Sequence, residues 1–238
     1  MIEINNSKTS IFAVGASLEG IKKAKQNPLI KGFTTNPTLM RSSGVTDYKN
    51  FAQEALKIIG DSPISFEVFS DDLDEMYNQA KIIASWGKNI SVKIPITNTK
   101  GQSTKDLVKS LNSESIICNV TAMFTQKQVE EICANCSVNT EIILSIFAGR
   151  IADTGVDPLP IMKQAVDYTN YSENIKILWA SPREVLNIVQ ASDIGCSIIT
   201  VTEDLINKIS NFNKDLEIFS LETVKMFYND AQKSGYSI

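Results

Sequence analysis

Asn89-Ile90-Ser91-Val92-Lys93-Ile94-Pro95-Ile96-Thr97 is a β-branched run with a single lysine inside it. Its apolar members Ile90, Val92, Ile94 and Ile96 recur at every second position, the period of a strand, which places Ser91 and Lys93 together on the other face. If that face meets solvent, Lys93 is an ordinary strand-end lysine whose stem lies on apolar surface while its ammonium reaches water. If it is buried, the amine is desolvated. Desolvation disfavours the ammonium form and leaves a neutral nitrogen able to attack a carbonyl carbon and form a Schiff base. The neighbouring segments weigh between the two.

On either side of this run, short β-rich segments alternate with longer amphipathic ones almost from end to end, the pattern of βα units and a parallel sheet. Strands are expected at residues 10–14, 32–35, 64–69, 90–94, 115–120, 142–147, 175–180 and 197–201. Helices are expected at 18–26, 48–59, 73–86, 104–111, 126–135, 158–168, 183–191 and 203–209. Eight such units close an α/β (β/α)8 TIM barrel. Asp71, Ser103, Thr125 and Asp157 stand where a side-chain oxygen would cap the following helix. No linker, composition shift or low-complexity segment divides the chain, so residues 1–238 read as one barrel domain. An additional C-terminal helix over about 216–233, with Phe219, Val224, Phe227, Tyr228 and Ala231 near helical spacing, either closes over the barrel or meets another subunit.

The same count of two sorts the other strands. In Ile64-Ser65-Phe66-Glu67-Val68 the helix-facing set is Ile64, Phe66 and Val68, which turns Glu67 toward the barrel axis. Thr34 and Asn36 face inward in the second unit, Ile117, Asn119 and Thr121 in the fifth, and Ile143, Ser145 and Phe147 in the sixth. Carried past the seventh strand, the count makes Ser181 inward as well. Each polar member lies at or just past the C-terminal end of its strand, where barrel enzymes build their active sites. Asn36, Glu67, Asn119, Thr121 and Ser145 therefore converge with Lys93 on one mouth, and the reactive-lysine reading becomes the stronger one.

Composition removes several other classes. At 43% hydrophobic and 21% charged residues the chain has the balance of a globular protein with a large core. A net charge of -4, a pI near 5.1 and the lack of a Lys/Arg cluster argue against a nucleic-acid surface. No apolar run approaches the roughly 20 residues of a membrane span. Residues 1–10 do not read as a signal peptide, so a cytoplasmic location is expected. Cys118, Cys133, Cys136 and Cys196 read as reduced thiols; Cys133 and Cys136 have the spacing of a redox or zinc pair, but no second pair accompanies them. There is no histidine, which removes the commonest general base and metal ligand and leaves acid-base work to carboxylates, lysine, tyrosine, cysteine or water.

The segments Gly32-Phe33-Thr34-Thr35-Asn36-Pro37-Thr38-Leu39, Val92-Lys93-Ile94-Pro95, Asn119-Val120-Thr121, Ser145-Ile146-Phe147-Ala148-Gly149-Arg150 and Ala180-Ser181-Pro182-Arg183 resemble, in collinear order, those of transaldolases. The resemblance implies a barrel that moves a dihydroxyacetone unit between ketose and aldose phosphates through a lysine Schiff base, without metal or organic cofactor. Its substrates would be of the fructose 6-phosphate, erythrose 4-phosphate and sedoheptulose 7-phosphate class. By position, Lys93 matches the Schiff-base lysine, Glu67 the carboxylate that shuttles protons through a water, and Thr121 the threonine that holds this water. Asn36 and Ser145 match groups that bind the hydroxyls of the dihydroxyacetone fragment, with Asn119 beside them. Pro37 keeps Asn36 out of the helical region, so its side chain is presented from a rigid backbone. Arg150, Arg183 and Ser181 match the phosphate site, a role suited to forked guanidinium groups. Phe147 and Glu67 stand where the related fructose-6-phosphate aldolases tend to have tyrosine and glutamine, which places the chain on the transaldolase side.

One position departs. The family's first-strand aspartate, which takes and returns the hydroxyl proton as the carbon–carbon bond breaks and forms, is matched here by Val14 in Ile11-Phe12-Ala13-Val14-Gly15-Ala16. Valine cannot transfer a proton. Three explanations stand: another group such as Glu67 or a water does the work slowly, the chain is a silent relative that binds sugar phosphates, or the position is an engineered or accidental change. A smaller departure, one extra residue in Thr97-Asn98-Thr99-Lys100-Gly101, should alter a loop and leave the chemistry alone.

Overall fold

The computed structural model describes residues 8–15 and 17–235; the start of the stretch read as lacking a leader lies outside the described residues. Eight strands, β1 (Ser10–Gly15), β2 (Ile30–Thr35), β3 (Ile64–Glu67), β4 (Ile90–Pro95), β5 (Cys118–Met123), β6 (Ile142–Ile146), β7 (Ile175–Trp179) and β8 (Ile198–Val201), form a closed barrel in sequence order. Every pairing is parallel, and β8 closes on β1. The helices are α1 (Leu18–Lys25), α2 (Pro37–Ser42), α3 (Tyr48–Ile59), α4 (Leu73–Ala84), α5 (Lys105–Ser113), α6 (Gln126–Cys133), α7 (Ala148–Ala152), α8 (Leu159–Thr169), α9 (Leu186–Asp193), α10 (Glu203–Lys208) and α11 (Leu216–Ser234). The protein is thus a (β/α)8 barrel with an additional C-terminal helix. Among the described residues, no helix is long and apolar enough to cross a membrane.

The alternation read from the sequence becomes two layers. Outward-facing Phe33, Phe66, Val92, Val120, Leu144 and Trp179 are buried against the helices in the main core. Inside the barrel a second cluster, Phe12, Ile143, Leu178, Ala180 and Ile198, with Phe147 packed on it, fills the half bounded by β6, β7, β8 and β1. Gly32 makes room for it, since a Cβ there would lie 2.5 Å from the Phe12 ring. The other half, from β2 to β5, is lined by buried polar side chains.

The ring of strands is uneven. Most neighbouring strands pair over four or five positions. By contrast β2 meets β3 only at Phe33↔Ile64 and Thr34↔Ser65, and β7 meets β8 only at Leu178↔Ile198 and Trp179↔Ile199.

Several expected boundaries move. The fifth strand starts at Cys118, because Ser115 takes a left-handed turn (φ 63°) after α5, and it runs on to Met123 across an irregularity at Ala122 (φ 60°). The third, sixth and seventh strands stop at Glu67, Ile146 and Trp179, short of the expected ends. Helix α9 begins at Leu186 because the chain first crosses the mouth through residues 181–185. Two short helices, α2 and α7, were not expected; with six and five residues neither shows a readable period. Thr125 caps α6 in a full capping box. For α4 the cap is Asp72 rather than Asp71, whose carboxylate instead takes the backbone N–H and hydroxyl of Thr99, tying the β3–α4 loop to the β4–α5 loop. Ser103 and Asp157 accept from the N–H groups of Lys105 and Leu159, at the starts of α5 and α8.

Candidate active site

Register brings the central pair together. Glu67 and Lys93 are partners across β3 and β4, both on the inner face. Lys93 is 8% exposed, and its Nζ donates to Glu67 Oε2 at 3.0 Å and to the Thr35 carbonyl oxygen at 3.1 Å. A buried ion pair adds little net stability, because desolvation offsets most of the attraction, while removing one partner costs about 3–5 kcal/mol. The lysine is therefore held inside the mouth and does not reach out to bulk water.

Beneath the pair runs a chain of buried hydrogen bonds. The Ser65 and Ser91 hydroxyls are 2.7 Å apart, Asn119 Nδ2 donates to Ser65 Oγ at 3.0 Å, and Ser145 Oγ donates to Asn119 Oδ1 at 2.6 Å. Both ends of the Asn119 amide are committed, which makes it an anchor for Ser145. Thr34 and Thr200 join their hydroxyls at 2.6 Å near Val14, which is paired with Thr34 across β1 and β2. The Thr121 Oγ1 atom is buried and has no hydrogen-bond partner among the described residues.

At the rim, Asn36 caps α2, its Oδ1 accepting the Leu39 N–H at 3.1 Å, with Pro37 following at the helix start. That leaves the side-chain amide nitrogen for a ligand. Arg183 forks onto Asp153 through Nε (2.9 Å) and Nη2, and this pairing holds the Asp153 carboxyl below its ordinary range. The Arg150 guanidinium lies 5.5 Å from the centre of the Phe147 ring. The two arginine loops are locked together at Gly149, where a Cβ would lie 1.5 Å from the Ser181 carbonyl oxygen. Ser181 itself is left-handed, with φ 57°.

Val14, Asn36, Lys93, Asn119, Thr121, Ser145, Phe147, Arg150, Ser181 and Arg183 all line one cavity of about 310 Å3 at the C-terminal mouth. Glu67 is not in its wall and reaches it through Lys93. A larger cavity, about 540 Å3, opens between α1 and α10 and shares Val14, Leu39 and Thr202 with the mouth. It holds none of the groups bonded to Lys93, so the lysine's surroundings belong to the smaller one. Sequence reading put Ser91 on the face of Lys93 without giving it a role, and it missed Ser65 and Thr200, although the same period-two count applies to them. It also missed Tyr48 and Asp153, which lie on a helix and a loop where that count says nothing. The four thiols stay apart from this site, and burial pushes Cys133 up to about 11 and both Cys136 and Cys196 up to about 12. Thiols so disposed carry little thiolate near neutral pH and are poor nucleophiles. Among the described residues, no group of three or more acidic or cysteine side chains could hold a metal.

A closed parallel eight-stranded barrel with polar side chains gathered at its C-terminal mouth is a scaffold that many unrelated families share. The family model described as Transaldolase/Fructose-6-phosphate aldolase matches residues 11–238, and the chain belongs to that family. It is similar to the "Probable transaldolase" of Dehalococcoides mccartyi, 32% identical over 80% of this chain and 85% of that one. The "Probable transaldolase" of Carboxydothermus hydrogenoformans is 36% identical over the same shares. "Probable transaldolase 2" of Listeria monocytogenes is 33% identical over 88% of this chain and 96% of its own length. Among solved structures, 2,3-dimethylmalate lyase superposes with a TM-score of 0.58 at 10% identity, over 98% of this chain and 86% of that one. The thiamine phosphate pyrophosphorylase of Pyrococcus furiosus superposes with a TM-score of 0.53 at 12% identity, over 82% and 86%. At such identities these two likenesses concern the barrel alone.

Proposed function

We propose that this protein is a transaldolase that forms a Schiff base on Lys93 and is impaired at carbon–carbon cleavage. The observation that carries the reading is the part-buried 3.0 Å contact between Lys93 Nζ and Glu67 Oε2 beside the mouth cavity. Passing a proton to Glu67 gives Lys93 a free electron pair, which attacks the C2 carbonyl of a ketose phosphate to give a carbinolamine. Glu67, through a water held by Thr121, protonates the carbinolamine hydroxyl. That hydroxyl leaves as water and the iminium forms. Asn36 and Ser145 hold the hydroxyls of the three-carbon end, and Arg150 with Ser181 holds the phosphate at the other, joined by Arg183, whose guanidinium is shared with Asp153. Cleavage of the C3–C4 bond sends its electron pair to the iminium, leaving an enamine, while the proton of the C4 hydroxyl passes slowly to Glu67 or a water as the aldose phosphate departs. The enamine then adds to an acceptor aldehyde, and hydrolysis frees Lys93. No metal or organic cofactor is required.

Val14 provides no acceptor for the C4 hydroxyl proton, and a general base is typically worth about 10²–10⁴-fold in rate. That same residue favours a second reading, a silent sugar-phosphate-binding relative. Borohydride reduction in the presence of fructose 6-phosphate separates the two: an adduct on Lys93 by mass is expected, and its absence at saturating sugar overturns the enzyme reading. Rapid cleavage of fructose 6-phosphate without any acceptor would instead indicate an aldolase that releases free dihydroxyacetone.

We also infer self-association through α11, and a cytoplasmic location. Helix α11 has no buried residue, and Leu216, Ile218, Phe219, Leu221, Val224, Met226, Phe227 and Tyr228 are 42–80% exposed. These side chains surround most of the helix, and a helix apolar nearly all round is ordinarily enclosed. A helix of 19 residues is about 28 Å long, so reciprocal exchange between two copies would bury on the order of 1,000 Å2 per protomer. A stable interface needs roughly 800 Å2 per partner, so a second copy of this chain suffices as the occupant.

A further inference from the structure

Strand β2 leaves the sheet early. After Thr35 the chain turns through Asn36 into α2, and the pairing of β2 with β3 ends at Thr34↔Ser65. Two residues on, at Glu67, the backbone N–H and C=O have no β2 partner, and a buried peptide group left unpaired costs about 1–3 kcal/mol. The Tyr48 hydroxyl takes the place of the missing strand: the Glu67 N–H donates to it at 2.8 Å, and it donates to the Glu67 carbonyl oxygen at 3.2 Å. Tyr48 is the first residue of α3, fixed by the Asp47 cap on Asn50, and its ring is packed edge-on against Phe66, Phe69 and Trp86. On the other side, Val68 N–H donates to the Lys93 carbonyl oxygen at 3.2 Å, so β4 and Tyr48 grip the end of β3 from both flanks.

We propose that Tyr48 is a positioning residue for Glu67, which its hydroxyl holds against Lys93 during carbinolamine dehydration; this rests on the Schiff-base reading above. The phenol does not line the mouth cavity; it bonds the backbone of the carboxylate's own residue and the side chain of Thr35, whose carbonyl accepts from Lys93, so it acts on the pair through its neighbours. Displacing a reacting group by about 1 Å can cost around a hundredfold in rate, so a loosened β3 end should slow imine formation. Donor binding should change little, because the groups that would hold the sugar lie on elements other than β3 and α3.

The test is Tyr48→Phe in the full chain, which keeps the ring and its packing and removes only the hydroxyl. Borohydride trapping with fructose 6-phosphate gives the rate of adduct formation as a function of sugar concentration, and hydrogen exchange followed by NMR gives the protection of the Glu67 amide. The expected result is trapping at least about tenfold slower at saturating sugar, with the half-saturating concentration within about twofold of wild type and faster exchange at Glu67. Trapping at the wild-type rate overturns the proposal. So does a raised half-saturating concentration with an unchanged limiting rate, which would make Tyr48 part of sugar binding. If the wild-type protein itself gives no adduct, the Schiff-base reading fails. The exchange measurement still decides the clamp: equal Glu67 protection in the two proteins overturns it, and lost protection in the variant supports it.

Discussion

Single residues at the mouth divide into those the strand period reveals and those it does not. Lys93, Glu67, Asn119, Thr121 and Ser145 were legible because a strand turns every second side chain inward, and an inward polar residue near a C-terminal strand end has few structural reasons to be there. The commitments of those side chains were not legible. Nothing in the sequence says that Asn119 spends both ends of its amide on serines, or that Asp153 occupies the fork of Arg183. Val14→Asp should raise turnover at least about tenfold in a coupled assay with donor and acceptor, because it restores a proton acceptor beside the cavity. An unchanged rate would show that position 14 is not where the missing group acts. Gly149→Ala should lower the urea midpoint by an amount equivalent to about 1–3 kcal/mol, since its methyl collides with the Ser181 backbone and cannot be accommodated by a rotamer change. Because that contact joins the two arginine loops, the same variant should also weaken sugar-phosphate binding, measurable by calorimetry.

At the scale of elements, all eight strands were predictable in order and kind, since long alternating patterns carry strong periodic information. What escaped were the pieces too short to show a period, α2 and α7, and the irregular end of β5, where Ala122 adopts a left-handed conformation. The clamp between α3 and β3 escaped for another reason: it joins a helix start to a strand end 19 residues away, and only the folded barrel makes them neighbours. Its pH dependence is testable. Burial pushes the Tyr48 hydroxyl up to about 12, with bonds to Glu67 and Thr35 pulling partly the other way, whereas in the unfolded chain it ionises near 10. An acid whose folded value is raised contributes stability that is present below the unfolded value and lost as pH climbs through the folded one. Wild-type protein should therefore lose on the order of 2 kcal/mol from this group between about pH 10 and 12. Tyr48→Phe should lack that share of the loss, read as a smaller fall in urea midpoint over the same interval.

For the whole molecule, composition and patterning gave the barrel and its extra helix, yet not what covers that helix. The residues of α11 announced apolar character at helical spacing, and the fold then left every one of them unburied. Replacing Val224 and Phe227 together by aspartate should reduce the molar mass in multi-angle scattering to that of the 26.3 kDa monomer, while the thermal transition of the barrel is retained. A mass unchanged from wild type would remove α11 from the interface.

The two short seams, β2 with β3 and β7 with β8, divide the ring into a five-strand arc and a three-strand arc. Lys93, Glu67, Asn119, Thr121 and Ser145 all stand on the longer arc, and Arg150 follows its β6 strand. Val14, Thr34 and Thr200 stand on the shorter one, with Asn36 at its edge. On the proposed mechanism, amine capture draws mainly on the longer arc and the cleavage proton on the shorter one, with the Thr35 carbonyl on the short arc also accepting from Lys93. On that mechanism a side-chain change at Val14 alters the second step while sparing the bonds of Lys93 to Glu67 and to the Thr35 carbonyl, so the two halves of the chemistry are free to be lost, or restored, one at a time.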